Sequence, residues 1–181
     1  TKLCAEKLFL AAGAYASALE TRFAVVRYGN VTGSRASVVP LWQSMLAAGR
    51  RKVPVTSPFC TRYHLELSEA VGMVLWTIGA MQGGEVVVPE MPAYQLSDLA
   101  EAMGAQIDIV GMRAAEKVHE TMISTGEKHL FRRQGRYWVA GAQTGDTLDA
   151  PLTSDTARRM SVVEIAERLG ALGFTRTAEA A

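Results

Sequence analysis

Residues 23–35 read FAVVRYGNVTGSR. Four apolar residues, 23–26, run directly into a polar turn with two glycines, the pattern of a buried parallel strand that delivers a loop at its carboxyl end. In open α/β sheets, ligands bind in the crevice beyond the carboxyl ends of the strands. Asn30 and the Gly29/Gly33 pair therefore mark an expected close ligand approach. Asn30 also has a plainer reading, as a turn residue tolerant of unusual dihedrals.

Upstream, Leu8, Ala12, Tyr15 and Leu19 recur at helical spacing, widened by Leu3 and Phe9, and predict an amphipathic helix over 1–22. A helix joined tightly to a strand is half of a βαβ unit. Downstream, 38–48 reads as a second helix with Leu41, Met45 and Leu46 as its stripe and Gly49 as its stop. Short strands are expected at 53–56 and 61–67. Ser68 is placed to cap a helix running to 81 with Val71, Leu75 and Ile78 buried. A buried strand follows at 85–89, a helix at 98–103 behind Ser97, a strand at 106–110, a helix at 116–124 and a hairpin of 128–133 with 136–140. Ser161 and Glu164 form a capping box for a last helix ending at Gly170. This order fits an α/β fold: the C-terminal part of a Rossmann-type parallel sheet with a small mixed α/β substrate-binding lobe. Residues 1–50 are expected to form the Rossmann part, and 51–181 the lobe with interleaved returns to the sheet.

The composition excludes several classes. With 181 residues, 49% hydrophobic, 20% charged and a net charge of +1, the chain is neither a disordered segment nor a polybasic nucleic-acid binder nor an acidic tail. The run Arg50-Arg51-Lys52 suits a solvated helix end. No apolar stretch has the length of a membrane span and no segment reads as a signal peptide, so the cytoplasm is the expected compartment. Cys4 and Cys60 are isolated, and His64, His119 and His129 are scattered, so neither a disulfide framework nor a metal site is expected. His119-Glu120 lacks the second histidine of a zinc motif. Trp42, Trp76 and Trp138 suit packing better than base stacking, because no basic groove accompanies them.

The segments TKLCAEKLF, VVRYGNVTGSRASVVP, TRYHLELSEAV, GGEVVVPEMPAYQLSDLAEAM and GMRAAEKVHETMIS resemble, in order and spacing, the carboxyl half of nucleotide-sugar 4,6-dehydratases. These belong to the extended short-chain dehydrogenase/reductase superfamily, and the likeness is above all to the UDP-N-acetylglucosamine 4,6-dehydratase (inverting) group of polysaccharide biosynthesis. The tail TSDTARRMSVVEI resembles that group as well. The resemblance implies NAD or NADP as cofactor and a nucleotide sugar, UDP-N-acetylglucosamine, as substrate. The sugar is oxidised at C4, water is eliminated across C5 and C6, and the hydride returns to C6. Thr1-Lys2 matches the end of the family's Tyr-x-x-x-Lys pentapeptide, which makes Lys2 a catalytic and cofactor-binding residue rather than a plain surface lysine. Its ammonium would lower the pKa of the tyrosine and hydrogen-bond the nicotinamide ribose.

By the same resemblance Tyr28, Asn30 and Val31 lie beside the cofactor, and Asn30 also contacts the substrate. Arg62 and Arg113 would line the diphosphate and uridine pocket, and Glu116 would accept a ribose hydroxyl. The plainer reading of both arginines is a surface ion pair. Arg27 reads as structural, Arg35 as either, and Glu6-Lys7 as an exposed charge pair. Ala114-Ala115 replaces the family's Pro-Gly, which removes a fixed turn and lets a helix start early. Ser57 stands where an acidic residue is common, and Tyr63-His64 replaces Phe-Trp. The family's tyrosine, its Gly-rich cofactor turn and its upstream acid/base residues fall outside these 181 residues, so no turnover is expected from the chain alone. Homo-oligomerisation stays open for the full-length enzyme. Two alternatives stand beside the dehydratase: an NAD-dependent nucleotide-sugar 4-epimerase, and a non-catalytic nucleotide-binding remnant or partner-complementing half.

Overall fold

The computed structural model describes residues 1–16 and 21–174. Its helices are α1 Lys2–Ala16, α2 Val38–Ala47, α3 Leu67–Ala80, α4 Leu96–Ala102 and α5 Val162–Ala171. Its strands are β1 Val25–Val26, β2 Lys52–Val55, β3 Thr61–Tyr63, β4 Val86–Pro89, β5 Ala93–Gln95, β6 Gln106–Ile109, β7 Thr121–Ile123, β8 Phe131–Gln134, β9 Tyr137–Ala140 and β10 Leu152–Thr153. The chain forms two compact units, each assembled from three separate stretches.

The first unit holds Thr1–Tyr28, Leu67–Glu90 and Thr121–Leu152. Its sheet has the order β1-β4-β9-β8. β1 and β4 are parallel, with Val25 opposite Val86, while β9 runs antiparallel to β4 and closes a hairpin with β8. All four residues of β4 are buried, which is why its sequence is an unbroken apolar run and not an alternation. One core layer gathers Val86, Val88, Ile123, Phe131 and Trp138, the other Met73, Val87, Tyr137 and Val139.

The second unit holds Gly29–Glu66, Met91–Glu120 and Thr153–Ala181. β2 pairs with β6 in parallel, and β3 with β5 antiparallel. α2, α4 and α5 enclose a core around Trp42, Val53, Leu99 and Ile165. The segment before α5 adds to β5 by backbone: Ala93 N–H donates to Arg158 O at 2.9 Å and Met160 N–H to Ala93 O at 2.9 Å. Ser161 caps α5, its hydroxyl accepting from Glu164 N–H at 3.1 Å, as the capping box requires.

Several helix faces differ from the periodicity. Val71, Leu75 and Ile78 are exposed, and α3 buries Ala70, Met73 and Thr77 instead. α3 is apolar on nearly every side, so spacing alone could not choose its inner face. On α1, Leu3, Leu8, Phe9 and Tyr15 are exposed while Glu6 is buried; the expected Leu19 and the helix end at 22 involve residues outside those described or beyond α1. α2 turns Val39, Trp42 and Leu46 inward and leaves Leu41 exposed. Ser68 and Ser97 lie inside α3 and α4 and cap neither. The expected helix over 116–124 is absent: 121–123 forms β7, with Ile123 fully buried.

Candidate functional site

A cavity of about 510 Å³ opens within the second unit, inside the size range of small-molecule sites. Its wall is the loop 30–37 with the first turn of α2, completed by Thr56, Arg62, Tyr94, Arg113 and Glu116. The loop is anchored at its start. Val31 bridges to Leu65, Thr32 N–H donates to Leu65 O at 2.8 Å, and the Thr32 hydroxyl lies 3.0 Å from His64 Nδ1.

The two glycines expected at a ligand approach are explained by protein neighbours. A Cβ at Gly29 would sit 2.9 Å from Tyr63 Cβ, and one at Gly33 would sit 2.5 Å from the Phe174 ring. Gly33 also has φ +76 and Ala36 φ +63, left-handed conformations that glycine adopts freely and alanine does not. At the start of α2, Ser37 is extended and its hydroxyl makes no cap bond. That hydroxyl is buried with no partner among the described residues. The Val38 and Val39 N–H groups at the start of α2 also lack intrahelical acceptors, Pro40 carrying no N–H, so the positive end of a ten-residue helix lines this wall.

The charged groups fall into two sets. Arg62 is engaged: Nη1 donates to Thr61 O at 2.7 Å and Val118 O at 3.0 Å, Nη2 to Glu116 at 3.3 Å, and Nε lies 3.6 Å from Glu120. Glu116 accepts as well from the Thr56 hydroxyl at 2.9 Å and from Arg113 N–H at 3.2 Å. Burial works to raise the Glu116 pKa, but these hydrogen bonds and the charges of Arg62 and Arg113 outweigh it and hold the carboxyl below its usual range. Arg35 and Arg113 are exposed and make no ion pair among the described residues. Tyr94, buried in the wall, is pushed up to about 12 by that burial and stays protonated. Ala114-Ala115 forms a turn, not a helix start: Glu116 N–H donates to Arg113 O at 3.1 Å, with Ala115 at φ +65.

Asn30, Val31, Arg62, Arg113 and Glu116 thus line one cavity, while Lys2 and Tyr28 belong to the first unit, both exposed. In that unit Arg27 uses all five of its N–H donors. They go to Glu6 at 2.7 and 2.8 Å, Glu127 at 2.9 and 3.0 Å, and Met122 O at 2.8 Å. Glu6 does pair with Lys7, at 3.8 Å, but it is 8% exposed rather than solvated, and its main partner is Arg27, which it clamps. His119 bonds the Thr61 hydroxyl at 2.8 Å, and no group of side chains suited to a metal occurs among the described residues. No described helix is long and apolar enough to cross a membrane. The sequence reading missed Thr56, which holds Glu116, and Ser37, whose small polar residue before Val38 carried an N-cap signal.

The family model described as "Polysaccharide biosynthesis protein" matches residues 1–141. The UDP-N-acetylglucosamine 4,6-dehydratase (inverting) of Campylobacter jejuni serotype O:2 is 43% identical over 141 residues, 77% of this chain and 42% of the relative. The UDP-glucose 4-epimerase of Rickettsia canadensis is 30% identical over a match covering 97% of this chain and 57% of its own length. Among solved structures, Pen from Bacillus thuringiensis superposes with a TM-score of 0.88 at 26% identity, covering 96% of this chain and 56% of that one. The chain thus spans about half the length of these relatives. With the family model matching well over half of its residues, the chain belongs to the polysaccharide biosynthesis protein family.

Proposed function

We propose that the second unit's cavity binds the nucleotide diphosphate of a UDP-sugar, and that the chain serves a nucleotide-sugar 4,6-dehydratase acting on UDP-N-acetylglucosamine. The observation that carries this reading is the meeting of Asn30, Arg62, Arg113 and Glu116, from three stretches of sequence, around one cavity of about 510 Å³. A diphosphate needs positive charge and N–H donors. The uncommitted guanidinium groups of Arg35 and Arg113 and the start of α2 supply both. Glu116, ionised and held by Thr56 and Arg62, would accept a hydrogen bond from a ribose hydroxyl. Asn30 both donates and accepts, which suits a sugar hydroxyl or amide.

In the first unit, Lys2 offers an exposed ammonium and Tyr28 an exposed ring, chemistry that suits the nicotinamide ribose of NAD or NADP. The cofactor, when bound, supplies the reversible hydride transfer that lets a sugar carbon be oxidised ahead of elimination. Lys2 would keep positive charge there and donate to a ribose hydroxyl. The 181 residues are expected to bind without turning over. A second reading, epimerase, is favoured by one observation: the Rickettsia UDP-glucose 4-epimerase matches 97% of the chain. Mass analysis of the sugar product of an enzyme containing this region separates the two, since dehydration loses one water and epimerisation loses none.

The binding claim is tested by calorimetric titration of the chain with UDP and with UDP-N-acetylglucosamine. Both are expected to bind, and Arg113→Ala is expected to weaken each by about tenfold or more, the loss of one charge-assisted hydrogen bond. No heat with either ligand at millimolar concentration, or equal affinity in the variant, would overturn it.

A further inference from the structure

The last helix ends against the cavity wall. α5 closes in a Schellman turn: Gly173 N–H donates to Gly170 O at 3.0 Å and Phe174 N–H to Leu169 O at 2.9 Å, with Gly173 at φ +84. This turn folds the second residue past the cap back onto the helix, and Phe174 accordingly packs on the core cluster that contains Leu169. Its ring also covers Gly33, where a Cβ would lie 2.5 Å from Cε2 and 2.8 Å from Cζ. Gly33 sits in the middle of the loop that lines the cavity.

The bonds that fix this loop are unevenly spread. Val31 and Thr32 are tied to His64 and Leu65. Beyond them the loop has two turn bonds of its own, Ser34 N–H to Val31 O and Ser37 N–H to Ser34 O. Its apex carries two positive φ values, one of them on Ala36, a conformation that persists only when the surroundings hold it. The ring of Phe174 supplies such a hold, from a residue that follows the family-matched region 1–141.

We propose that Phe174 is a positioning residue of the cavity: by covering Gly33 it keeps the loop 30–37 in the shape that presents Asn30, Arg35 and Ser37 to the ligand. The hold itself is independent of what binds; its consequence for a nucleotide rests on the reading given under Proposed function. The ring acts through the loop and touches no ligand, so ring shape matters and ring polarity does not.

Trypsin under native conditions reads the hold directly, because Arg35 is exposed in the loop and Arg50 and Arg51 provide reference cuts in the same unit. Phe174→Ala is expected to speed cleavage after Arg35 by about tenfold relative to cleavage after Arg50, as local opening becomes easier. UDP affinity should fall by about threefold to tenfold. Phe174→Tyr, which keeps the ring, should restore both, an outcome that a general loss of stability would not give. Should Phe174→Ala fail to fold, Phe174→Leu takes its place, since it stays apolar toward the core around Leu169 but removes the ring that covers Gly33, and the same release of Arg35 is expected. Unchanged cleavage after Arg35 in the folded variant overturns the proposal. If UDP fails to bind the unaltered chain, the nucleotide reading is lost, and the trypsin result still decides whether Phe174 holds the loop.

Discussion

Ala115 shows how a single residue departs from what its backbone asks for. It has φ +65 in the turn between Arg113 and Glu116. A side chain in that conformation costs about 1–2 kcal/mol relative to a right-handed one, while glycine avoids the penalty. Ala115→Gly is therefore expected to raise stability by about 0.5–1 kcal/mol, the larger loss of unfolded-state freedom in glycine offsetting part of the gain. Denaturant titration measures it; a destabilised variant would mean that contacts of the Ala115 methyl outweigh its strain. Asn30, Arg62, Arg113 and Glu116 were singled out from sequence motifs, and the structure brings all four to the wall of one cavity. What each arginine does was not legible in the sequence. Arg62 and Glu116 lie 54 residues apart, and only the fold reveals that one guanidinium is spent on a carboxylate while Arg113 is left uncommitted.

At the level of elements, local signals were the ones that held. The Ser161 cap of α5 and the hairpin around Gln134-Gly135 depend on neighbours a few residues away, and both form as the residues suggest. Faces and long-range pairings were not legible. The segment 116–124 has helical character by composition, yet Ile123 is drawn into the first unit's core as part of β7, a tertiary choice that overrides propensity. α3 is the clearest failure of periodicity. Between Leu67 and Ala80 it carries one charged residue, Glu69, so two faces competed for burial, and Leu75 and Ile78 remain 64% and 60% exposed. Replacing both with glutamate should leave the unfolding free energy within about 0.5 kcal/mol per site. It should also raise the solubility limit of the chain by removing exposed apolar area. A concentration series by light scattering with parallel denaturant melts checks both; a loss of several kcal/mol would show that this face is covered in the folded protein.

For the molecule as a whole, the ionisable groups set the pH range of stability. Burial alone would raise the Glu127 carboxyl, but the Arg27 guanidinium and the Ser124 N–H outweigh it and bring it down to about 2. Asp155, through the Thr153 hydroxyl, and Glu164, through Arg158, are also held below the usual range. A carboxyl whose folded pKa is depressed contributes stability above its unfolded value, and that contribution disappears as pH falls toward the folded one. At the other end, burial raises Tyr94 to about 12, so its contribution is present below about pH 10 and is lost as pH climbs toward 12. The thermal midpoint should therefore be level from about pH 5 to pH 9 and fall on both sides. Glu127→Gln isolates the acid arm. At pH 7 it gives up the pairing with Arg27 at a cost of about 1–2 kcal/mol, less than the full shift because the carboxylate is partly solvated. At pH 3 the native carboxyl is losing the same advantage, so the two melting curves should converge. Trp42 is the one tryptophan of the second unit, with Trp76 and Trp138 in the first. Fluorescence melts of a Trp42→Phe background thus report the unit that contains Glu127. Parallel curves down to pH 3 would mean that the Arg27 cluster is held by packing and backbone bonds and not by the charge on Glu127.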